Sequence, residues 1–436
     1  MASQVKDIKQ IPGTQFVVDG FNFNWSPFVR HYFLTHYHSD HTIGLKKSFD
    51  RGYIYCSEVT ARLLIYDFGV RRDVVRPLVL GATTKIQGVE VTPICANHCP
   101  GAVCFIFKLP DSDENGNGKL ILHTGDFRYC EEKHGRHPIL LDRPVDILML
   151  DTTYCDKKWV FPSQEEVIEA VARFIWNTRQ RNPRTLFLFM SYRIGKEKCY
   201  FGAAEKNNLK IYVSASKRKI LNLLNLPDTW VSLLTENPFE AHIHISTMKH
   251  QKYPESVQEE LKGSPWTEAV LIRPTGWTFR PSIAHKGGAI ALEPRIICDK
   301  VSSIGVPYSE HSSFAELQAC VKKMRPKKLI PTVNADSEGK SRALVDKFCS
   351  FMDLSSDKSR LDSYFLPGSK RKQHVVADQA LVKSPDDNRI DIEDIDVEEQ
   401  KRLWDNAQAA SSKAAPRKKR SEKISATSMK SFFSQK

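Results

Sequence analysis

The chain has 436 residues, 41% of them hydrophobic and 26% charged, enough for two or three domain-sized cores. A mean hydropathy of −0.39 and the lack of any long apolar run exclude a membrane-spanning helix, and the N-terminal residues 1–10 lack the apolar stretch of a secretory signal. The 64 Lys and Arg against 51 Asp and Glu give a net charge of +13, which points to an anionic partner with nucleic acid first among them. Ten scattered cysteines, never spaced as CxxC, fit reduced thiols in the cytosol or nucleus.

Short apolar runs at Arg30–Leu34, Val89–Ile94, Val103–Lys108, Leu120–His123 and Asp146–Leu150 predict strands, with Asp111–Gly118 as a hairpin loop. Ser163-Gln-Glu-Glu166 is a capping box, and it predicts a helix with Val167, Val171, Phe174 and Ile175 on one face. Thr185–Met190 reads as a further buried strand, so the body is mixed α/β. Beyond residue 350 the apolar periodicity ends. Residues 351–436 carry 17 Lys and Arg against 14 Asp and Glu and read as a disordered tail. Most of the positive charge therefore belongs to the body.

Directly after the first predicted strand stands His36-Tyr37-His38-Ser39-Asp40-His41. Three imidazoles and a carboxylate in six residues suit zinc, with magnesium or manganese on the oxygen-richer side. A lone histidine would read as a surface turn, but this density does not. Asn97-His98-Cys99-Pro100-Gly101 and His123-Thr124-Gly125-Asp126 follow two later strands. Cys99 beside His98 reads as buried packing rather than as a nucleophile. No Ser-His-Asp or Cys-His constellation is recognisable.

This ordered series, HxHxDH, then His, then Asp, resembles the metallo-β-lactamase superfamily. The resemblance implies a four-layer αββα sandwich with metals at one sheet edge. His36, His38 and His98 would hold the first metal, Asp40 and His41 the second, and Asp126 would bridge both. Leu150-Asp151-Thr152-Thr153-Tyr154, Pro307–Ser313 and Pro331–Asn334 resemble the three extra motifs of the β-CASP branch, which processes nucleic acids. That branch carries an inserted domain, here 156–270, between lactamase parts 1–155 and 271–350. His311 would complete the second metal's shell, and Asp151 would orient ligands or water. Val333 stands where RNA-cleaving members carry histidine, which implies DNA.

Tyr192–Lys198 and Arg273–Thr278 are most similar to the 5′-exonucleases of DNA interstrand cross-link repair, the family that includes Apollo. Such enzymes seat a terminal 5′-phosphate between their domains, and Ser191, Lys196, Arg273 and Ser309 are the candidates here. A hydroxyl and an ammonium at a strand-to-helix turn suit an oxyanion. By residue chemistry alone an ordinary basic turn fits equally well. Arg193 departs from the small residue usual at its position. The catalytic set implied is Asp40, Asp126, Asp151 and His311, with one or two zinc ions activating water for in-line attack on phosphorus. The function expected is a metal-dependent 5′→3′ DNA exonuclease. The alternatives are a hairpin-opening endonuclease resembling Artemis and a non-catalytic repair scaffold.

In the tail, Leu361, Tyr364 and Phe365, and again Met429, Phe432 and Phe433, match the apolar positions of PCNA-interacting peptides, without the leading Gln. Arg417-Lys418-Lys419-Arg420 reads as a nuclear-import signal. A nuclear monomer that binds DNA, recruits PCNA and has no membrane contact is the expectation.

Overall fold

The structure is a computed structural model, and it describes residues 8–111, 118–247, 250, 253–280 and 290–355. The tail residues named above, from Leu361 to Phe433, lie outside the described residues, as does the expected disorder of the tail. Among the described residues no helix is long and apolar enough to cross a membrane.

Four short strands, β1 (Phe16–Val18), β2 (His31–Phe33), β3 (Tyr53–Ser57) and β4 (Val75–Leu78), form a parallel sheet in that order. A second sheet follows in the chain: β5 (Thr84–Ile86), β6 (Val89–Cys95), β7 (Val103–Asp111) and β8 (Gly118–His123) pair antiparallel, and β9 (Ile147–Leu150) joins β8 in parallel. Asp111 opposes Gly118 across β7 and β8, so these two strands are the arms of the expected hairpin. The strands alternate with period 2. Phe16, Val18 and Phe33 of the first sheet bury against Phe105, Phe107, Ile121 and Met149 of the second. Phe33 meets Phe105 and Phe107 with ring centroids 5.3 and 5.2 Å apart. The residues between them in sequence point the other way and join a cluster with helical residues. Ile54 and Cys56 share it with Ala61 from α1 (Glu58–Arg62), Leu148 and Leu150 with Leu317 and Val321. Burying both faces of two sheets yields a sandwich with helices outside, as the resemblance implied.

The inserted region opens with α2 (Gln164–Arg181). Ser163 accepts from the Glu166 N–H, and Glu166 accepts from the Ser163 N–H, so two otherwise orphaned helix amides are satisfied. Val167, Val171, Phe174 and Ile175 are all buried. Next come β10 (Thr185–Met190), α3 (Glu197–Asn207), β11 (Ile211–Tyr212), β12 (Leu234–Thr235), β13 (Ile243–Ser246), α4 (Pro254–Lys262), β14 (Glu268–Pro274), β15 (Arg295–Cys298) and β16 (Val301–Val306). They build a seven-stranded sheet ordered β12-β11-β13-β10-β14-β16-β15, parallel except for the edge strand β15. Helices cover β10 on both sides: Phe187 and Phe189 share a cluster with Val171 and Ile175, and Leu186, Leu188 and Met190 share another with Val257 and Leu261. Hence every residue of Thr185–Met190 is buried.

The boundary expected at 270 falls inside β14. The inserted sheet runs on through β16 to Val306, because β14 and β16 pair with each other along six residues and β14 pairs with β10. The lactamase layer resumes with α5 (Phe314–Met324) and closes with β17 (Lys328–Pro331), which pairs in parallel with β9. The carboxyl ends of β10, β14 and β16 lead directly into the 191–196, 273–278 and 307–313 turns. The first and third of these turns meet the histidine cluster, through the Ile194 and Glu310 carbonyls and His311.

Candidate metal centre

The centre begins at the end of β2. Asp19 sits in the left-handed region at φ 49°, and its carboxylate accepts the Thr35 N–H at 2.9 Å and the Thr35 hydroxyl at 2.8 Å. This pair of hydrogen bonds turns the chain out of the sheet and points His36 inward, fully buried. The oxygen of Asp19 that accepts the Thr35 hydroxyl, Oδ2, also meets His41 Nδ1 at 2.7 Å. Burial works against the Asp19 charge, but His41 outweighs it and lowers the carboxyl pKa.

Five imidazoles gather here, and each has one ring nitrogen engaged by an outer partner. His36 Nδ1 lies 2.9 Å from Thr35 Oγ1, His38 Nε2 3.3 Å from the Ile194 carbonyl and His41 Nδ1 2.7 Å from Asp19. His98 Nδ1 lies 3.1 Å from the Glu310 carbonyl and His311 Nδ1 2.8 Å from Asp151. The opposite nitrogens converge. His38 Nδ1 and His98 Nε2 are 3.1 Å apart, and Asp126 Oδ2 lies 3.2 Å from His41 Nε2 and 3.8 Å from His36 Nε2. The buried His36 Nε2 has no hydrogen-bond partner among the described residues.

Three sets of donor atoms lie within 4.8 Å of one another: His36, His38, His98 and Cys99; His36, His41 and Asp126; His98, Asp126 and His311. Burial, reinforced by the neighbouring imidazoles, pushes the pKa of His36 well down and keeps it in the neutral form that binds metals. His41 goes the other way. Burial disfavours its charge, yet Asp40, Asp126 and Asp19 hold its pKa well above the usual value. An orphaned buried nitrogen, converging imidazoles and a carboxylate shared between sets fit a divalent cation, and outer partners fixing each ring are usual around metal-binding histidines.

Of the seven residues expected as ligands, six fall within these sets, and the grouping differs from the expected one. His311 lies with His98 and Asp126, its ring centroid 4.7 Å from that of His98, rather than with Asp40 and His41. The cause is Asp151, which takes His311 Nδ1 and aims the rest of the ring at His98. Asp40 is outside all three sets; its carboxylate lies 3.3 Å from His41 Nε2 and is 37% exposed. Asp151 also accepts from Phe127 N–H, Thr153 N–H and the Thr153 hydroxyl, which leaves it committed to the protein.

The expected phosphate-seat residues fare differently. Ser309 is buried; its hydroxyl donates to the His311 carbonyl at 2.8 Å and accepts the His311 N–H at 3.1 Å, so it shapes the His311 turn instead of facing a substrate. The Ser191 hydroxyl donates to the Gly195 carbonyl at 3.0 Å and closes its own turn. Lys196 is buried, with its ammonium 2.7 Å from Glu310 and its N–H donating to the same carboxylate at 2.9 Å. Burial opposes the Glu310 charge, but Lys196 and His98 bring its pKa down to about 2. The Lys196 ammonium is therefore spent on Glu310. Arg273, half-buried at the end of β14, makes no hydrogen bond or ion pair with a described residue and is the expected candidate still open to an anion. Val333 is half-buried, its N–H donating to Thr152 Oγ1 at 3.3 Å.

Residues the sequence did not mark complete the frame. Asp19 is an isolated acid with no motif around it. Glu310 adjoins His311 and was within reach of inference. Lys217, buried, donates to the Tyr192 and Arg193 carbonyls at 3.0 and 2.9 Å and pins the turn whose Ile194 carbonyl holds His38. Arg193 pairs with Asp67, which also accepts from the Tyr37 hydroxyl, so it ties the inserted turn to the lactamase layer.

A helix-covered β-sandwich with a His/Asp cluster at its strand ends and an inserted α/β layer defines the hydrolase fold of the metallo-β-lactamases. Residues 27–180 match the beta-lactamase superfamily domain, and residues 229–337 match the family described as DNA repair metallo-beta-lactamase. The chain belongs to that DNA-repair family. It is 40% identical over 333 residues to "DNA cross-link repair protein SNM1" of Arabidopsis thaliana, covering 76% of this chain and 66% of the relative. It is 38% identical over 342 residues to "DNA cross-link repair 1A protein" of Homo sapiens (78% and 31%). To "5' exonuclease Apollo" of Gallus gallus it is 33% identical over 328 residues (75% and 63%). The chain thus spans about a third to two thirds of the length of these relatives.

Proposed function

We propose that the chain is a metal-dependent DNA nuclease of cross-link repair, cutting phosphodiester bonds from a 5′ end. The observation that carries this is the arrangement of five imidazoles, each fixed by an outer acceptor and aimed at Asp126 or at one another. Zinc suits the nitrogen-rich sets of His36, His38 and His98, and of His98, Asp126 and His311; magnesium or manganese suits the side of Asp40, His41 and Asp126. Asp126 belongs to two of the sets, which supports a role in holding both cations. When bound, such cations supply Lewis-acid activation of water and of the phosphoryl oxygens.

The chain's own groups do the rest. Asp151 and Glu310, through the carboxylate and the carbonyl respectively, hold His311 and His98 in one tautomer and orientation. Arg273 at the mouth of the inserted sheet takes a phosphate oxygen of the substrate, and the positive body steers the polyanion inward. The name of the Gallus gallus relative favours the 5′ end, and Val333 favours DNA over RNA. Action in the nucleus and docking on PCNA rest on the tail motifs.

The deciding experiment compares a 5′-phosphorylated single strand, a 5′-hydroxyl strand and a closed hairpin, with and without a chelator. Stepwise, chelator-sensitive loss of nucleotides from the phosphorylated end is expected, and it vanishes in Asp126→Ala and His311→Ala. Opening of hairpins without a free end would make the protein an endonuclease, and full activity in either variant would overturn the site.

A further inference from the structure

Beside the cluster runs a row of aromatic rings that no step above uses. Tyr154, three residues after Asp151, is buried with its ring centroid 5.9 Å from that of His311. Trp277, Phe161 and Trp159 surround it at 4.7, 4.8 and 5.1 Å, and the two tryptophans meet edge to face at 5.2 Å. The row is tightly seated. A Cβ on Gly276 would lie 2.7 Å from the Tyr154 hydroxyl and 3.0 Å from Phe161, so only glycine lets the 276–278 turn rest on these rings.

This is not an enclosed core. Trp277 is 40% exposed and Trp159 half-buried, and the neighbouring Lys157 and Lys158 are exposed. The Lys158 ammonium stands 5.1 Å over the Trp159 ring. Burial alone would turn such large rings inward and place no cations at their edge. Flat apolar faces interleaved with ammonium groups suit a strand of bases and phosphates.

From this we infer that Trp277 and Trp159 form a stacking platform for the bases of a single-stranded DNA next to its scissile phosphate, with Lys157 and Lys158 on the flanking phosphates. Tyr154 joins the platform to His311, so the base is held in register with the metal cluster. The inference rests on the nuclease reading and names how that site grips its substrate. The platform recognises any base, because every base has a π-face, and it predicts indifference to sequence.

The test uses the whole chain and two 5′-phosphorylated oligodeoxynucleotides, one normal and one abasic over its first four positions. Binding is followed by fluorescence anisotropy in an Asp126→Ala background and cleavage in the parent. Trp277→Ala raises Kd and KM for the normal strand by about tenfold or more. Trp277→Phe stays close to the parent, and on the abasic strand the two variants behave alike. Lys157→Ala with Lys158→Ala weakens both strands to the same extent. Equal loss on both strands in Trp277→Ala, or a parent that prefers the normal strand by less than about threefold, overturns the platform; the second measurement needs no variant to fold. A parent that binds the normal strand better yet cleaves neither leaves the platform standing and overturns the nuclease reading.

Discussion

His311 Nδ1 lies 2.8 Å from Oδ2 of Asp151, both side chains buried, across 160 positions of sequence. The pair joins the end of β9 to the turn after β16 and fixes which nitrogen of His311 can face Asp126 and His98. Burial opposes the charge on Asp151, but His311 beside it lowers the pKa. Asp151→Asn keeps the shape and removes the charge. Zinc affinity is expected to fall about 10- to 100-fold, measured by competition with a chromophoric chelator. Affinity within twofold of the parent would show that Asp151 does not hold the ligand.

Lys196 and Glu310 form a buried ion pair between the inserted layer and the His311 turn. Lys196→Met leaves Glu310 charged and unpaired and should cost about 3–5 kcal/mol in urea unfolding at pH 7. Glu310→Gln added to it should restore much of that loss, because the second charge goes too. If instead Lys196→Met leaves stability unchanged and only raises KM for 5′-phosphorylated ends, the ammonium serves substrate.

Gly125 holds φ +55°, and a Cβ there would stand 2.8 Å from Cβ and Cγ2 of Thr35. Thr35 is the residue that Asp19 uses to aim His36. Gly125→Ala should cost the roughly 1–2 kcal/mol of a left-handed backbone and also loosen the metal site, read as a lower Tm with faster zinc release to chelator. Gly88 holds φ +83° with nothing within 4 Å of its Cβ position. Gly88→Ala should lower Tm and leave zinc release alone.

His123 and His134 are buried and neutral. Burial brings both to about pKa 4, with Gly125 N–H donating to His123 Nδ1 and His134 Nε2 donating to the Cys95 carbonyl. Their unfolded pKa is about 6.5. Between those values the unfolded chain binds protons that the native one does not, so stability falls as pH drops below about 6.5. Each histidine contributes up to about 1.4 kcal/mol per pH unit. Urea midpoints at pH 7, 6 and 5 should therefore decline more steeply in the parent than in His134→Gln, and parallel curves would refute the assignment.

Much of the candidate centre was legible because its motifs are local. His36, His38, Asp40 and His41 sit within six residues, and His98 and Asp126 follow strands whose apolar alternation is plain. The helix capped by Ser163 was legible for the same reason, since its hydrogen bonds span three residues. The end of the insert was not. β14 and β16 look like any short apolar strand, and only their parallel pairing with each other and with β10 assigns them to the inserted sheet. Lys196 likewise looked like an anion seat until folding set Glu310, 114 positions away, against its ammonium.

The sequence by itself carried the ordered His/Asp motifs on which the family resemblance rests, the α/β class and the acidic or basic character of each block, because these follow from residue type, spacing and backbone period. Tertiary structure alone decided which charges are spent on each other, that His311 lies with His98 rather than with Asp40, and that Asp19 holds Thr35 and His41 in place. Those are contacts between residues far apart in the chain, and in a buried site of low dielectric the nearest partner settles what a charged or imidazole group is free to do.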